Sequence, residues 1–191
     1  MTNEGYPKWV SMLDDATGFI VIIVALAAIL ESSFSYIFAL EILSFGLLVT
    51  GIAWIVWGMY LIRANRNARI FILLSGTIIT ALALVDFVFY SLPPEFLILF
   101  PAFGLVLIGI SRIVLGIILG DVPLWIQMLQ FLAGVLTLNL AAFVFIFTNA
   151  GFIPILALLV ILLIANGLVR IIVGRTDTPK QLTRPTEDSV S

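Results

Sequence analysis

The chain has 191 residues, 62% of them hydrophobic and 10% charged, and its mean hydropathy of +1.25 describes far more apolar surface than a soluble domain of this length buries. A net charge of −2 leaves no basic surface for nucleic acid, and the absence of Cys and His removes disulfides, thiolate nucleophiles, zinc sites and imidazole acid–base chemistry. The composition is that of an all-α, polytopic integral membrane protein, for which no cofactor, no metal and no catalytic residue is expected.

Residues 1–8 are polar and carry no basic run, and no trustworthy cleavage site follows, so the first apolar segment reads as a retained span after a short N-terminal segment at 1–9. Its visible apolar core, Ala16 to Leu30, is short for a span of ~20 residues. An internal repeat supplies the limits. FGLLVTGIAWIVWG at Phe45 to Gly58 recurs as FGLVLIGISRIVLG at Phe103 to Gly116 and as ILLIANGLVRIIVG at Ile161 to Gly174, the second interval equal to the first. The register predicts three two-helix units of about 58 residues, at about 10–67, 68–125 and 126–174.

The six spans then fall at Val10–Ser33, Ile37–Ile62, Ala68–Leu92, Phe96–Leu119, Leu124–Thr148 and Phe152–Gly174. Pro93-Pro94, Asp121 to Pro123, and Asn149 to Pro154 break the chain between spans. Asp14 and Asp15 sit in the first turns of the first span, at the positive end of its dipole. Residues 175–191, rich in Thr, Pro and charge, read as a mobile tail.

Arg63, Arg66 and Arg69 follow the second span, and Arg175, Lys180 and Arg184 follow the sixth, whereas the loops after the first, third and fifth spans hold no Arg or Lys. Both termini are therefore expected in the cytoplasm, with Glu31, Glu41 and Glu95 at the opposite rim of a plasma or inner membrane. Tyr6, Trp9, Tyr60 and Trp125 fit an inner aromatic belt, and Tyr36 and Tyr90 an outer one.

Small residues recur at fixed register on every span. Gly18, Gly76 and Gly134 are spaced by the repeat on the odd spans; Gly51, Gly109 and Gly167, and again Gly58, Gly116 and Gly174, keep the same spacing on the even ones. Ala25, Ala83 and Ala141 follow the odd-span glycines by two helical turns, which at ~100° per residue returns to nearly the same face. These nine glycines are expected to be helix-packing positions where backbones approach closely.

Few polar residues fall inside the spans. Arg112 and Arg170 occupy equivalent repeat positions between two stripe glycines, where the first unit has Trp54. Two readings stand: an anion or headgroup site, or structural cations that reach the inner interface or pair with Asp14, Asp15 or Asp121, since a mid-helix Arg costs ~2.5–3.5 kcal/mol. Asp86 likewise reads either as part of an acidic vestibule with Glu31 and Glu41 or as a carboxylate satisfied by Ser, Tyr or water. Asn139, Asn166, Thr80 and Thr137 read as interhelical hydrogen bonders.

With three two-helix units, G-I-x-R-I-type stripes at Gly109 and its equivalents and a Pro-containing outer turn, the chain resembles the HdeD-like acid-resistance membrane proteins, the DUF308 short-repeat group, over about Val10 to Gly174. The resemblance implies a six-helix inner-membrane protein associated with acid stress, without catalytic residues to carry over. Trp54 departs from the pattern, and the lack of His leaves out the usual pH-sensing side chain. Beside a non-enzymatic stress or integrity role stand two alternatives: a small transporter or channel with a site between repeats, and an accessory subunit of a larger complex. The expected partners are the lipid bilayer and either another membrane protein or a second copy of the chain. No substrate or reaction is legible.

Overall fold

The computed structural model describes residues 8–60, 66–89, 91–118, 123–147 and 151–175. Seven helices run in the order α1 (Lys8–Glu31), α2 (Tyr36–Tyr60), α3 (Arg66–Val88), α4 (Pro94–Leu97), α5 (Leu99–Ile118), α6 (Leu124–Ile146) and α7 (Phe152–Arg175). Six of them are long and apolar enough to cross a membrane, and among the described residues there is no strand. The chain is an all-helical, multi-pass membrane protein.

The loops are built from residues that stop helices. Ser35 caps α2, its hydroxyl accepting from the Phe38 amide at 3.3 Å. Gly151 precedes α7 with φ +96°, a conformation an L side chain rarely adopts. Pro123 holds the N-cap position of α6. The fourth expected span, Phe96–Leu119, is not continuous: it divides into α4 and α5 at Ile98. Pro101 is the physical reason, because it has no N–H to donate to the Leu97 carbonyl and its ring crowds that oxygen. The third expected span ends at Val88, short of Leu92, and the fifth ends at Ile146, short of Thr148. The other boundaries agree within two residues, apart from the ends placed at Ile62 and Leu119. Those two, with Tyr6, Arg63, Tyr90, Asp121, Lys180, Arg184 and the expected tail, lie outside the described residues.

Each long helix packs against its neighbours in sequence, and α7 returns to α1, so that α1, α2, α3, α5, α6 and α7 form a closed ring. The spans of α2, α5 and α7 are about half buried, whereas those of α1, α3 and α6 are about a third buried or less. The bundle therefore has three inner helices, in contact with one another, and three outer ones wedged between them. The outer surface carries Phe19, Leu30, Leu74, Phe131, Ile161 and many other exposed apolar residues, the expected dress of a wall facing acyl chains.

The inner helices meet through residues at the repeat spacing. Leu43, Pro101 and Leu159 form one tier, and Leu47, Leu105 and Leu163 the next; together they enclose a void of about 10 Å³. A space of that size and character is dry. The axis is thus filled by side chains at mid-depth.

Between inner and outer helices, backbone meets backbone. A Cβ added to Gly18 would lie 2.7 Å from the Gly167 carbonyl oxygen, at Gly51 3.0 Å from that of Gly76, and at Gly109 3.0 Å from that of Gly134. The reverse approaches are equally close. One or two turns along, Gly58 faces Leu73, Gly116 faces Phe131 and Gly174 faces Asp15. The nine stripe glycines therefore sit in the three interfaces α1·α7, α2·α3 and α5·α6. Apolar side chains alone gain little by associating in lipid, so close packing of this kind has to hold the pairs together.

Gly109→Ala and Gly134→Ala should each lower the thermal unfolding midpoint in detergent, since a methyl group there displaces backbone and overpacking costs about 1–3 kcal/mol. Gly104→Ala should be much milder. Its added Cβ meets only the Leu47 side-chain carbons at 3.2–3.3 Å, which can shift. Equal losses at all three positions would show that backbone approach is not what these glycines secure.

Candidate functional site

Two of the tiers below the apolar plug are Trp54, Arg112 and Arg170, and then Trp57, Leu115 and Val173. With Asp14 from α1 and Gln130 from α6 they line a cavity of about 30 Å³ near the end of the bundle where α1 begins and α7 ends. That is room for one or two water molecules. Arg112 is six residues from the end of α5 and Arg170 five from the end of α7, ~9 Å and ~8 Å along the helix axes.

Arg170 is answered by a carboxylate. Its Nη1 donates to Asp14 Oδ1 at 3.1 Å, its Nη2 to the Thr50 carbonyl at 3.3 Å, and its guanidinium carbon lies 5.8 Å from the Trp54 ring centroid. Both partners are largely covered, at 8% and 14% exposure. Beside them Arg175 pairs with Asp15 at 3.6 Å, more loosely and at 62% exposure. Asp15 Oδ1 is buried without a hydrogen-bond partner.

Arg112 is answered differently. It is only 2% exposed, and its Nε donates to Asn166 Oδ1 at 2.5 Å, its Nη2 to the Asn166 carbonyl at 2.9 Å and its Nη1 to Gln130 Oε1 at 2.7 Å. Asn166 is fixed in turn by donating to the Leu162 carbonyl at 2.8 Å and to Thr137 Oγ1 at 3.3 Å. All of these acceptors are neutral, and among the described residues no carboxylate lies within ion-pair distance of Arg112. A guanidinium has five N–H donors, and three of them are used among the described residues. The cavity wall thus carries two guanidiniums and one carboxylate, an excess of one positive charge.

Asp14 accordingly pairs with Arg170 and not with Arg112, Asp15 pairs with Arg175, and Asp121 lies outside the described residues. Gln130 and the double use of Asn166 escape a reading that looks for carboxylates. A signal was present: Asp14, Ile72 and Gln130 lie 58 residues apart on the outer helices, and so do Trp54, Arg112 and Arg170 on the inner helices they face. In the same relative position Trp54 and Ile72 belong to one buried apolar cluster. Asn166 and Thr137 do hydrogen-bond across helices, but Thr80 and Asn139 do not: their side chains donate to Gly76 and Val135, four residues back on their own helices.

At the other end of the bundle Asp86 is buried, at 2% exposure, and accepts a hydrogen bond from the Ser44 hydroxyl; its Oδ1 has no partner. Glu31 and Glu41 are half-buried at this end. Ser44 thus answers one carboxylate oxygen of Asp86 and leaves the other without a partner among the described residues.

No family model matches the chain, and neither a curated protein nor a solved structure matches it.

Asp14→Asn should destabilise strongly, by about 3–5 kcal/mol, because it leaves the buried Arg170 uncompensated. Asp15→Asn should cost at most about 1 kcal/mol, since its partner is solvent-exposed. Unfolding in detergent at neutral pH measures both, and the reverse order would reassign the ion pair that matters.

Proposed function

We propose that the chain is a non-enzymatic membrane protein of the HdeD-like type, made of three two-helix units closed into a pseudo-threefold ring, with a role in acid or envelope stress tolerance. The observation that carries the three-unit reading is the order of the helix contacts. Gly51 meets Gly76 and Gly109 meets Gly134, each inner glycine touching the first glycine of the next unit. Gly167, in the last unit, meets Gly18 of the first, as it would if the series started again. The same rule relates Arg112 to Gln130 and Arg170 to Asp14. A ring of this kind matches the units on which the family resemblance rests.

The plugged axis supports an integrity role over a channel. Leu43, Leu47, Pro101, Leu105, Leu159 and Leu163 fill the path along which a pore through the pseudo-threefold axis would run. The cavity at the terminal end favours the transporter alternative, since a buried cation between units is what a substrate site needs. An accessory subunit would use the exposed apolar walls of α1, α3 and α6 instead.

Deleting the gene should reduce survival in acid, and expressing the chain from a plasmid should restore it. Unchanged survival of the deletion strain under acid and envelope stress would overturn the proposed role. We also place both termini and the loop after α2 in the cytoplasm, on the Arg63, Arg66 and Arg69 count. The chain has no native Cys, so single probes report cleanly. Pro93→Cys should react with an impermeant maleimide in intact cells, and Asn67→Cys only after permeabilisation. The opposite pattern would invert the topology.

A further inference from the structure

We propose that the half-open cavity beside Arg112 receives one or two oxygens of a single phosphate-type anion whose remaining atoms stay outside its mouth, presented either by the headgroup of an anionic lipid or by free phosphate. The inference does not depend on the proposed stress role.

The starting observation is the asymmetry between two arginines in equivalent positions. Arg170 has its counter-charge in the chain, at Asp14. Arg112 has Gln130 where Arg170 has Asp14, and its charge is left to neutral oxygens. A buried cation held only by amides is costly unless something else supplies the negative charge. Replacing Gln130 by Glu would supply it at no change in size, yet the sequence keeps the amide. What Gln130 leaves is a fixed guanidinium that no carboxylate pairs among the described residues, in the wall of a largely apolar cavity.

The site is built for an anion in three further respects. The Nε and Nη2 bonds to Asn166 lock the guanidinium plane, so a ligand is met by a preorganised fork. The excess charge is one, which matches a phosphodiester. The depth also fits: Arg112 and Arg170 lie ~9 Å and ~8 Å from the helix ends, within reach of the interfacial layer. Asp14, in the wall of the same cavity, repels a second negative charge and so favours singly charged groups.

The test uses the full chain purified in a zwitterionic detergent and followed by thermal unfolding. One arm titrates inorganic phosphate against chloride at equal ionic strength. The other places the protein in phosphatidylcholine nanodiscs with and without phosphatidylglycerol. Wild type should be stabilised saturably in at least one arm: by inorganic phosphate if the anion is free, by phosphatidylglycerol alone if it is a headgroup. Gln130→Glu should be at least as stable as wild type without any anion and should bind it roughly tenfold or more weakly, the worth of one charge-assisted hydrogen bond. Arg112→Gln, which keeps amide donors toward Asn166 and loses the charge, should abolish the response and carries the test if Gln130→Glu does not fold. Absence of stabilisation in both arms, or wild-type affinity in either variant, would overturn the proposal.

Discussion

Helices in hydrocarbon gain almost nothing by turning apolar side chains toward one another, because the lipid offers the same surroundings. The constraint on this bundle is therefore backbone proximity, and the three glycine contacts Gly18·Gly167, Gly51·Gly76 and Gly109·Gly134 meet it. Everything else is positioned by them. Once α5 lies against α6 at Gly109, Arg112 is carried one turn further to Gln130; once α7 lies against α1 at Gly167, Arg170 is carried to Asp14. The polar interior is a consequence of where the small residues allow the helices to touch.

That interior divides by depth. At mid-span Leu43, Leu47, Pro101, Leu105, Leu159 and Leu163 of the inner helices close around a small apolar void. Toward the terminal end the same three faces change to Trp54, Arg112 and Arg170, and a cavity appears. A cavity walled by two arginines and an aspartate at one end and an apolar plug in the middle give the molecule a polarity along the bundle that its helix ring does not have.

Much of this was legible beforehand, for identifiable reasons. Span number follows from apolar length alone, and the glycine faces from periodicity, because both are local properties of the chain. Pro101 carried a signal for the break at Ile98, but a pattern of apolar residues runs through it and conceals the missing hydrogen bond. The partner of Arg112 was harder. Charge suggests a carboxylate, whereas the actual acceptors are the Gln130 amide and both oxygens of Asn166, and amides are chemically too versatile to be assigned without geometry. Thr80 and Asn139 failed the opposite way: residues able to bond across helices satisfied themselves on their own.

The contact of α1 with α7 sets an order of events. Asp14 and Arg170 are 156 residues apart, so the first helix enters the membrane long before the last has been synthesised. Through that interval α1 has its α2 neighbour but neither its glycine contact nor its counter-ion, and the carboxylate has to stay near the interface where water can solvate it. Only when α7 arrives do Gly167 and Arg170 draw α1 into register and complete the circle. The last helix made is thus the latch of the first, and a chain stopped short of it leaves Asp14 without Arg170 and α1 without its α7 face.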